Sequence, residues 1–172
     1  MNTPLPSVEE ITALPAIDRG AVQKDHIDVN GHMTVMRYLD ILTAGTITAC
    51  GEYGLDLSYP KAHCMGLFAV DHHARYLREL RLGTHYTAHV RLLDASEQAV
   101  HTMAYLVDLD GGSVSSTLET LLLNVNLTTR RVARFTENTI AALATGLARS
   151  KALPWEVRGC GTMRMPERKG TR

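Results

Sequence analysis

The sequence has few of the features that mark several large classes of protein. Its 172 residues carry 18 Lys and Arg against 18 Asp and Glu, so a strongly basic surface for nucleic acid is not expected. Aromatic residues make up only 5%, which leaves few platforms on which bases could stack. No apolar run approaches the roughly 18 residues of a membrane helix, and the first residues lack a secretory signal pattern. We expect no nucleic-acid or membrane partner and a cytoplasmic location.

Cysteine is also scarce. Cys50, Cys64 and Cys160 are odd in number, far apart and in no CxxC pair, which argues against a disulfide framework or a thiolate metal site. His72 and His73 are adjacent on a predicted strand, where neighbouring side chains point to opposite faces. A structural or subunit-interface role is therefore expected for these histidines, and no metal site.

The two ends of the chain differ in composition from its middle. Residues 1–16 contain three prolines and are expected to form a loose lead-in. Residues 151–172 contain six basic and two acidic residues among prolines and glycines, which predicts a basic, extended or disordered tail. The intervening residues 17–150 are enough to bury one core and are predicted to form a single domain.

A long helix is predicted early in this domain. From Met33 to about Gly51, apolar residues recur every three or four positions, with Thr34 as the expected N-cap and Gly51 as the stop. Both faces are largely apolar, so the helix should be buried on most sides.

Most of the remaining chain has the alternating pattern of β-strands. Four strands joined as an antiparallel meander are predicted at residues 67–80, 86–93, 99–109 and 114–127. A shorter strand is expected at 21–27 and a short helix at 138–148. This order predicts an α+β domain in which a curled antiparallel sheet wraps a long central helix.

The densest cluster of potentially reactive side chains precedes the long helix, in the run Asp25-His-Ile-Asp-Val-Asn-Gly-His-Met-Thr34. Helix N-terminal amides stabilise negative charge, so a carboxylate here could attack a carbonyl or activate water beside an oxyanion site. Asp28 and Asn30 could equally cap a turn around Gly31, with His32 as a structural histidine. The spacing alone leaves both possibilities open.

Two motifs carry a family resemblance. Asp28-Val-Asn-Gly-His-Met-Thr34, followed by Arg37-Tyr38-Leu39, resembles the D-x-x-G-H-[MV]-[NT]…Y-L signature of the 4-hydroxybenzoyl-CoA thioesterase family of hotdog-fold proteins. Residues 76–83, Tyr-Leu-Arg-Glu-Leu-Arg-Leu-Gly, are similar to that family's Y-L-[RK]-x-[VL]-x-x-G segment. The resemblance covers roughly residues 18–135. It implies a hotdog fold and acyl-CoA thioester hydrolysis with no metal and no bound cofactor, CoA being part of the substrate.

The same resemblance implies a set of site residues. The candidate catalytic residues are Asp28, as nucleophile or as general base on water, and Asn30 and His32, which could position the thioester or the water. The candidate substrate-binding residues are Gly31, Met33, Thr34, Tyr38, Gly66, Arg75 and Arg78. Of these, Gly66 could polarise the thioester carbonyl through its N–H, and the arginines could meet the phosphates of CoA.

A finer resemblance concerns the acyl group. Residues 30–39, 75–78 and 121–125 look like those of betainyl-CoA thioesterases of carnitine breakdown. That likeness implies a small acyl group with a quaternary ammonium, which aromatic faces and a carboxylate recognise. The available side chains are Tyr38, Tyr53, Tyr76 and Glu119, although Glu119 is expected to face solvent instead.

Two other functions remain as alternatives. A hotdog hydratase would have D-x-N-x-x-H, but His32 stands one position early, which turns a helical side chain by about 100°. A non-catalytic acyl-CoA-binding module would have no need of Asp28. For either enzyme or binder, the open sheet edges predict a homodimer or homotetramer with sites at the interface.

Overall fold

The computed structural model describes residues 5–157 and 159–166. It contains one five-stranded antiparallel sheet, which does not close, and a long helix packed against it. The strands are β1 (Ala16–Ala21), β2 (Met65–Tyr76), β3 (His85–Ala95), β4 (Ala99–Asp108) and β5 (Ser113–Asn126). The helices are α1 (Val8–Thr12), α2 (Val35–Cys50), α3 (Tyr59–His63) and α4 (Glu137–Lys151). The predicted α+β architecture is confirmed.

The strand order, β1-β3-β4-β5-β2, shows that the predicted four-strand meander is wrong for its first member. β3, β4 and β5 follow one another through the expected hairpins, but β2 pairs with β5. The cause is the connection formed by residues 77–84, predicted to be the end of a strand and a tight turn. It begins with Leu77 N–H bonded to Ser115 O and ends with Gly83 N–H bonded to Val22 O. It therefore crosses the end of the sheet from one edge to the other.

Helix α2 packs on one face of the sheet. Thr34 caps it as predicted, because its side chain accepts a hydrogen bond from the Arg37 N–H, and Gly51 ends it. Tyr38, Ile41 and Leu42 are buried against β3, β4 and β5. The prediction of burial on most sides is wrong, since α2 has the sheet on one side only. Its outer stripe is exposed: Met36, Asp40, Ala44 and Thr48.

The other face of the sheet is covered by both ends of the chain. Ile11 of α1 and Trp155, after α4, are buried in one cluster with Met103 and Tyr105 of β4. The Arg91 guanidinium lies 4.0 Å over the Trp155 ring. These apolar contacts hold the two terminal segments on the sheet.

The expectation of a loose lead-in is wrong for residues 7–13, because Ser7 and Glu10 form a capping box that begins α1 and Ile11 buries its side chain. Beyond α4, the described part of the tail has neither helix nor strand, although Trp155 anchors it. Three stretches lie outside the described residues: 1–4, Arg158 and 167–172. The last two carry part of the tail's positive charge. The domain boundaries remain predictions.

Two shorter elements differ from expectation. The first strand ends at Ala21 rather than beginning there, because residues 24–26 form a 3-10 turn in which His26 Nδ1 accepts the Gln23 N–H at 3.0 Å. The last helix is longer than predicted and begins at the Thr136 cap. Within the described ranges, no helix has both the length and the apolar character needed to cross a bilayer.

Candidate active site

The motif before α2 folds into a tight loop. Ile27 and Met33 form an isolated antiparallel bridge, and the Asp28 N–H donates to His32 O at 3.0 Å. Gly31 turns the chain with φ +85°, a left-handed conformation that other residues rarely adopt. The loop therefore has a defined shape, although it projects from the domain.

The loop is tied to two other segments at its C-terminal end. The Met33 N–H donates to Leu80 O, and the Thr34 N–H donates to His26 O, both at 2.8 Å. The Met33 side chain is 1% exposed and belongs to the core. Of the predicted binding residues, Met33 and Thr34 thus have clear structural roles, as core side chain and as helix cap.

The Asp28 carboxylate is held by its own loop. Its Oδ1 accepts the Asn30 N–H at 2.8 Å, and its Oδ2 accepts the Asn30 side-chain amide at 3.3 Å. His32 Nδ1 lies 3.7 Å from Oδ2, and 27% of the Asp28 side chain is exposed. Partial desolvation acts to raise the pKa of Asp28, but the Asn30 hydrogen bonds and the His32 charge outweigh it and lower the pKa below its ordinary value.

This geometry is that of an Asx turn, so the capping role left open by the sequence is present. The hydrogen bonds to Asp28 come from Asn30 rather than from the first amides of α2, which begins after Thr34. The carboxylate is nevertheless ionised, oriented and accessible to solvent. It can therefore attack an electrophile or hold a water molecule.

A pocket of about 250 Å³ adjoins the loop at the N-terminus of α2. The rings of Tyr38 and Tyr76 meet edge to face there, with centroids 5.5 Å apart. The Tyr38 hydroxyl accepts the Leu80 N–H at 2.8 Å, which fixes its ring. The complete lining is His32, Met33, Val35, Tyr38, Tyr76, Leu77, Arg78 and Glu79.

Four sequence-predicted candidates lie away from this pocket. Gly66 is inside β2 opposite Val125, ten residues from Tyr76 and so about 33 Å along the strand. Arg75 is half-buried on β2 and does not line the pocket. Tyr53 packs against Gly146 of α4. The expectation that Glu119 faces solvent is wrong, since it is 1% exposed on the opposite face of the sheet.

Three pocket residues, Val35, Leu77 and Glu79, were missed by sequence reasoning. The segment of Leu77 and Glu79 was predicted to be strand, which would have separated it from the start of α2. One signal could have shown that residues 77–79 are not strand. The Gly83 turn follows them closely in the sequence, and a strand cannot continue through such a turn.

The chain matches the family model described as the thioesterase-like superfamily over residues 22–143. An L-carnitine dehydrogenase/betainyl-CoA thioesterase of Agrobacterium fabrum is 33% identical over 105 residues, which are 61% of this chain and 21% of that protein. A betainyl-CoA thioesterase of Pseudomonas aeruginosa is 26% identical over 133 residues, 77% of this chain and 84% of that protein. The chain thus spans only about a fifth of the first relative's length.

Solved structures give the same picture of the fold. A Staphylococcus aureus protein in complex with CoA superposes with a TM-score of 0.76 at 26% identity, over 87% of this chain and 94% of that one. A DHNA-CoA thioesterase of the same species gives 0.70 at 11% identity, over 78% and 91%. These likenesses confirm the expected hotdog fold.

Proposed function

The chain belongs to the thioesterase-like superfamily, and from that premise we propose that it hydrolyses an acyl-CoA thioester to a free acid and CoA, with Asp28 as the reacting carboxylate. The observation that carries the proposal is the state of Asp28. Its carboxylate is kept ionised and oriented by Asn30, and it remains open to solvent beside His32, which lines the adjoining pocket.

The lowered pKa of Asp28 favours one of the two chemical routes. A general base works best when its pKa lies near the working pH, whereas a nucleophile needs only to be ionised. We therefore favour attack of an Asp28 oxygen on the thioester carbon. The C–S bond breaks, CoA leaves as the thiolate and takes up a proton, and water cleaves the resulting mixed anhydride to regenerate the carboxylate.

Asn30 and His32 have different parts in this scheme. The backbone N–H and the side-chain amide N–H of Asn30 both donate to Asp28, so Asn30 is a positioning residue. His32 lies 3.7 Å from Asp28 Oδ2 and lines the pocket, and its side chain is 35% exposed. It is placed to donate a hydrogen bond to the thioester oxygen or to the departing sulfur.

The pocket supports a small, cationic acyl group. Tyr38 and Tyr76 present aromatic surface, which is the chemistry that recognises a quaternary ammonium. The carboxylate of Glu79 lines the same pocket and is ion-paired with Arg81. The names of the relatives, betainyl-CoA thioesterases that in some proteins are joined to L-carnitine dehydrogenase, support the same substrate class and a place in carnitine metabolism. Arg78 at the pocket is placed to meet a phosphate of CoA.

The edge strand β2 supports a homodimer. Phe68 is 40% and Val70 51% exposed on a strand whose outer backbone groups have no neighbouring strand within the described chain. Antiparallel pairing of two β2 strands about their middle would place Gly66 opposite the partner's Arg75. That pairing would bring Gly66 towards the pocket end of the other subunit, which it does not reach within one chain.

The test is thiol release from a panel of acyl-CoA thioesters, including betainyl-CoA, 4-hydroxybenzoyl-CoA and short- and long-chain members. We expect turnover to be fastest with betainyl-CoA and to collapse in Asp28→Asn. If acyl-CoAs bind but none is cleaved, the chain is a binding module and the proposal is wrong. If a long-chain thioester is cleaved best, the proposed acyl class is wrong.

A further inference from the structure

A second cluster of reactive side chains lies on the face of the sheet away from α2. Its centre is Glu119 of β5, which stands opposite His73 in the ladder between β5 and β2. The carboxylate accepts a hydrogen bond from His101 Nε2 at 2.8 Å and one from the Cys160 N–H at 2.6 Å. His73 Nδ1 lies 4.0 Å from Glu119 Oε2. The proposed thioesterase reaction uses none of these groups.

The C-terminal segment approaches this carboxylate very closely. A Cβ at position 159 would collide with the Glu119 carboxylate, so a larger residue there would force that side chain to move. The next residue turns both its N–H and its thiol towards the cluster. As a result, one ligand atom each from His73, Glu119 and Cys160 lies within 4.8 Å of the others.

From this geometry we propose that His73, Glu119 and Cys160 bind a divalent metal ion of the zinc type. One imidazole nitrogen, one carboxylate oxygen and one thiolate sulfur are all common zinc ligands. Around a tetrahedral ion with bonds of 2.0–2.3 Å, such atoms stand roughly 3.3–3.7 Å apart. The observed spacing therefore needs a contraction of only about 1 Å. Elsewhere in the described ranges, no three such residues converge in this way.

The charges of the cluster suit such an ion. Glu119 is 1% exposed, and no Lys or Arg of the described residues forms an ion pair with it. With a thiolate at Cys160 and neutral His73, a divalent ion would make the group electrically neutral, which favours its binding beside the buried Glu119 carboxylate. His101, bonded to the other carboxylate oxygen, would orient Glu119 as a partner behind the ligand.

No motif marks this site, because its members are far apart in the chain. The adjacent His72 and His73 point to opposite faces of their strand, and Cys160 has no other cysteine or histidine near it in the sequence. The fold joins β2, β5 and the terminal segment. A bound ion would fix that segment on the sheet, a role independent of the acyl-CoA reaction.

The test is zinc binding by the full chain after metal removal, measured by competition with a chromophoric chelator. We expect one zinc ion per chain. Cys160→Ser and His73→Asn should each weaken binding by more than about 100-fold, because loss of a direct ligand exceeds the 10–100-fold cost of losing an outer partner. The matched controls Cys64→Ser and His72→Asn, which lie outside the cluster, should bind as the original chain does.

Two further measurements guard against variants that fail to fold. Cobalt bound to the original chain should give a thiolate-to-cobalt absorption band that Cys160→Ser lacks. Zinc should also slow alkylation of Cys160 but not of the exposed Cys64. A chain that binds no zinc at micromolar concentration, or that binds it equally in all four variants, would overturn the proposal. So would a cobalt band that survives without Cys160, or alkylation of Cys160 that zinc leaves unchanged.

Discussion

Two carboxylates of this molecule are held in opposite ways. Asp28 is 27% exposed at its side chain, and every polar contact described for it comes from within four residues of itself. Glu119 is 1% exposed, and its hydrogen-bond partners come from β4 and from the terminal segment. The first is ionised and open to a substrate. The second is ionised and enclosed by the fold.

The two carboxylates differ in what depends on them: reactivity depends on Asp28, and stability depends on Glu119. The hydrogen bonds to Asp28 close a turn that projects into solvent, so little packing depends on its charge. Burial acts to raise the pKa of Glu119, but the His101 and Cys160 hydrogen bonds outweigh burial and lower it. Changes at Asp28 should therefore alter chemistry, and changes at Glu119 should alter folding.

The largest effect on stability is expected for Glu119→Ala. The change removes two hydrogen bonds to a charged group and leaves His101 without its partner, which should lower the free energy of unfolding by about 3 kcal/mol. Because the folded pKa of Glu119 is lowered, its contribution is present above the ordinary value of 4.5 and is lost as pH falls through the folded value. Urea unfolding at pH 7 and at a series of decreasing pH values below 4.5 measures both effects. If Glu119→Ala lowers the free energy of unfolding no more than Glu137→Ala, a change at an exposed residue, the proposed difference between Glu119 and Asp28 is wrong.

Tyr38→Phe should have the next largest effect. Without the hydroxyl, the buried Leu80 N–H loses its acceptor, which should cost about 2 kcal/mol in urea unfolding. Because the Leu80 carbonyl also anchors Met33, the Asp28 loop should loosen and kcat should fall. Tyr76→Phe is the control, since Tyr76 is 47% exposed. If both variants unfold alike, the hydroxyl of Tyr38 does not fix the pocket.

Gly31→Ala should cost about 1 kcal/mol. A Cβ at this position meets nothing within 4 Å, so the whole cost is that of holding alanine at φ +85°. Gly83 has the same conformation, φ +86°, with equal space around it, away from Asp28. Gly83→Ala should therefore destabilise the chain equally but leave kcat closer to that of the original chain. Equal losses of kcat in the two variants would show that the shape of the Asp28 loop does not affect catalysis beyond its effect on stability.

Asn30→Ala should give the smallest effect. It removes the side-chain hydrogen bond that lowers the pKa of Asp28, while the backbone bond remains. The acid limb of the kcat/KM profile, which reports the free enzyme, should then move to higher pH. Asn138→Ala, on exposed α4, should leave the limb in place. A shift to lower pH in Asn30→Ala would contradict the role given to Asn30.

The sequence was sufficient wherever the relevant contacts are local. Helix α2 begins after Thr34 and ends at Gly51, as predicted. The run from Asp28 to Thr34 forms the compact turn that its glycine and polar residues indicated. The three hairpin-linked strands also follow from alternation and turn residues. In each case the deciding interactions lie within a few residues of one another.

Contacts between distant segments could not be predicted in the same way. Nothing in the alternation of β2 distinguishes pairing with β3 from pairing with β5, because both leave the same side chains facing the core. The burial of Glu119 depends on Gly159 and Cys160, which follow α4 and are about 40 residues away from it in the sequence. The apolar anchor of that segment, Trp155, gave no periodic signal of its own.

The most direct test of the contrast is to measure kcat and the free energy of unfolding on the same preparations of Asp28→Asn and Asp25→Asn. Asp25 lies in the same segment, so it matches Asp28 in charge and in place along the chain, but its side chain is 85% exposed and that of Asp28 is 27% exposed. Asp28→Asn should lower kcat by at least about 100-fold with little change in unfolding, and Asp25→Asn should change neither. Equal kcat values in the two variants, or loss of turnover in Asp28→Asn only through unfolding, would contradict the assignment of the reaction to Asp28.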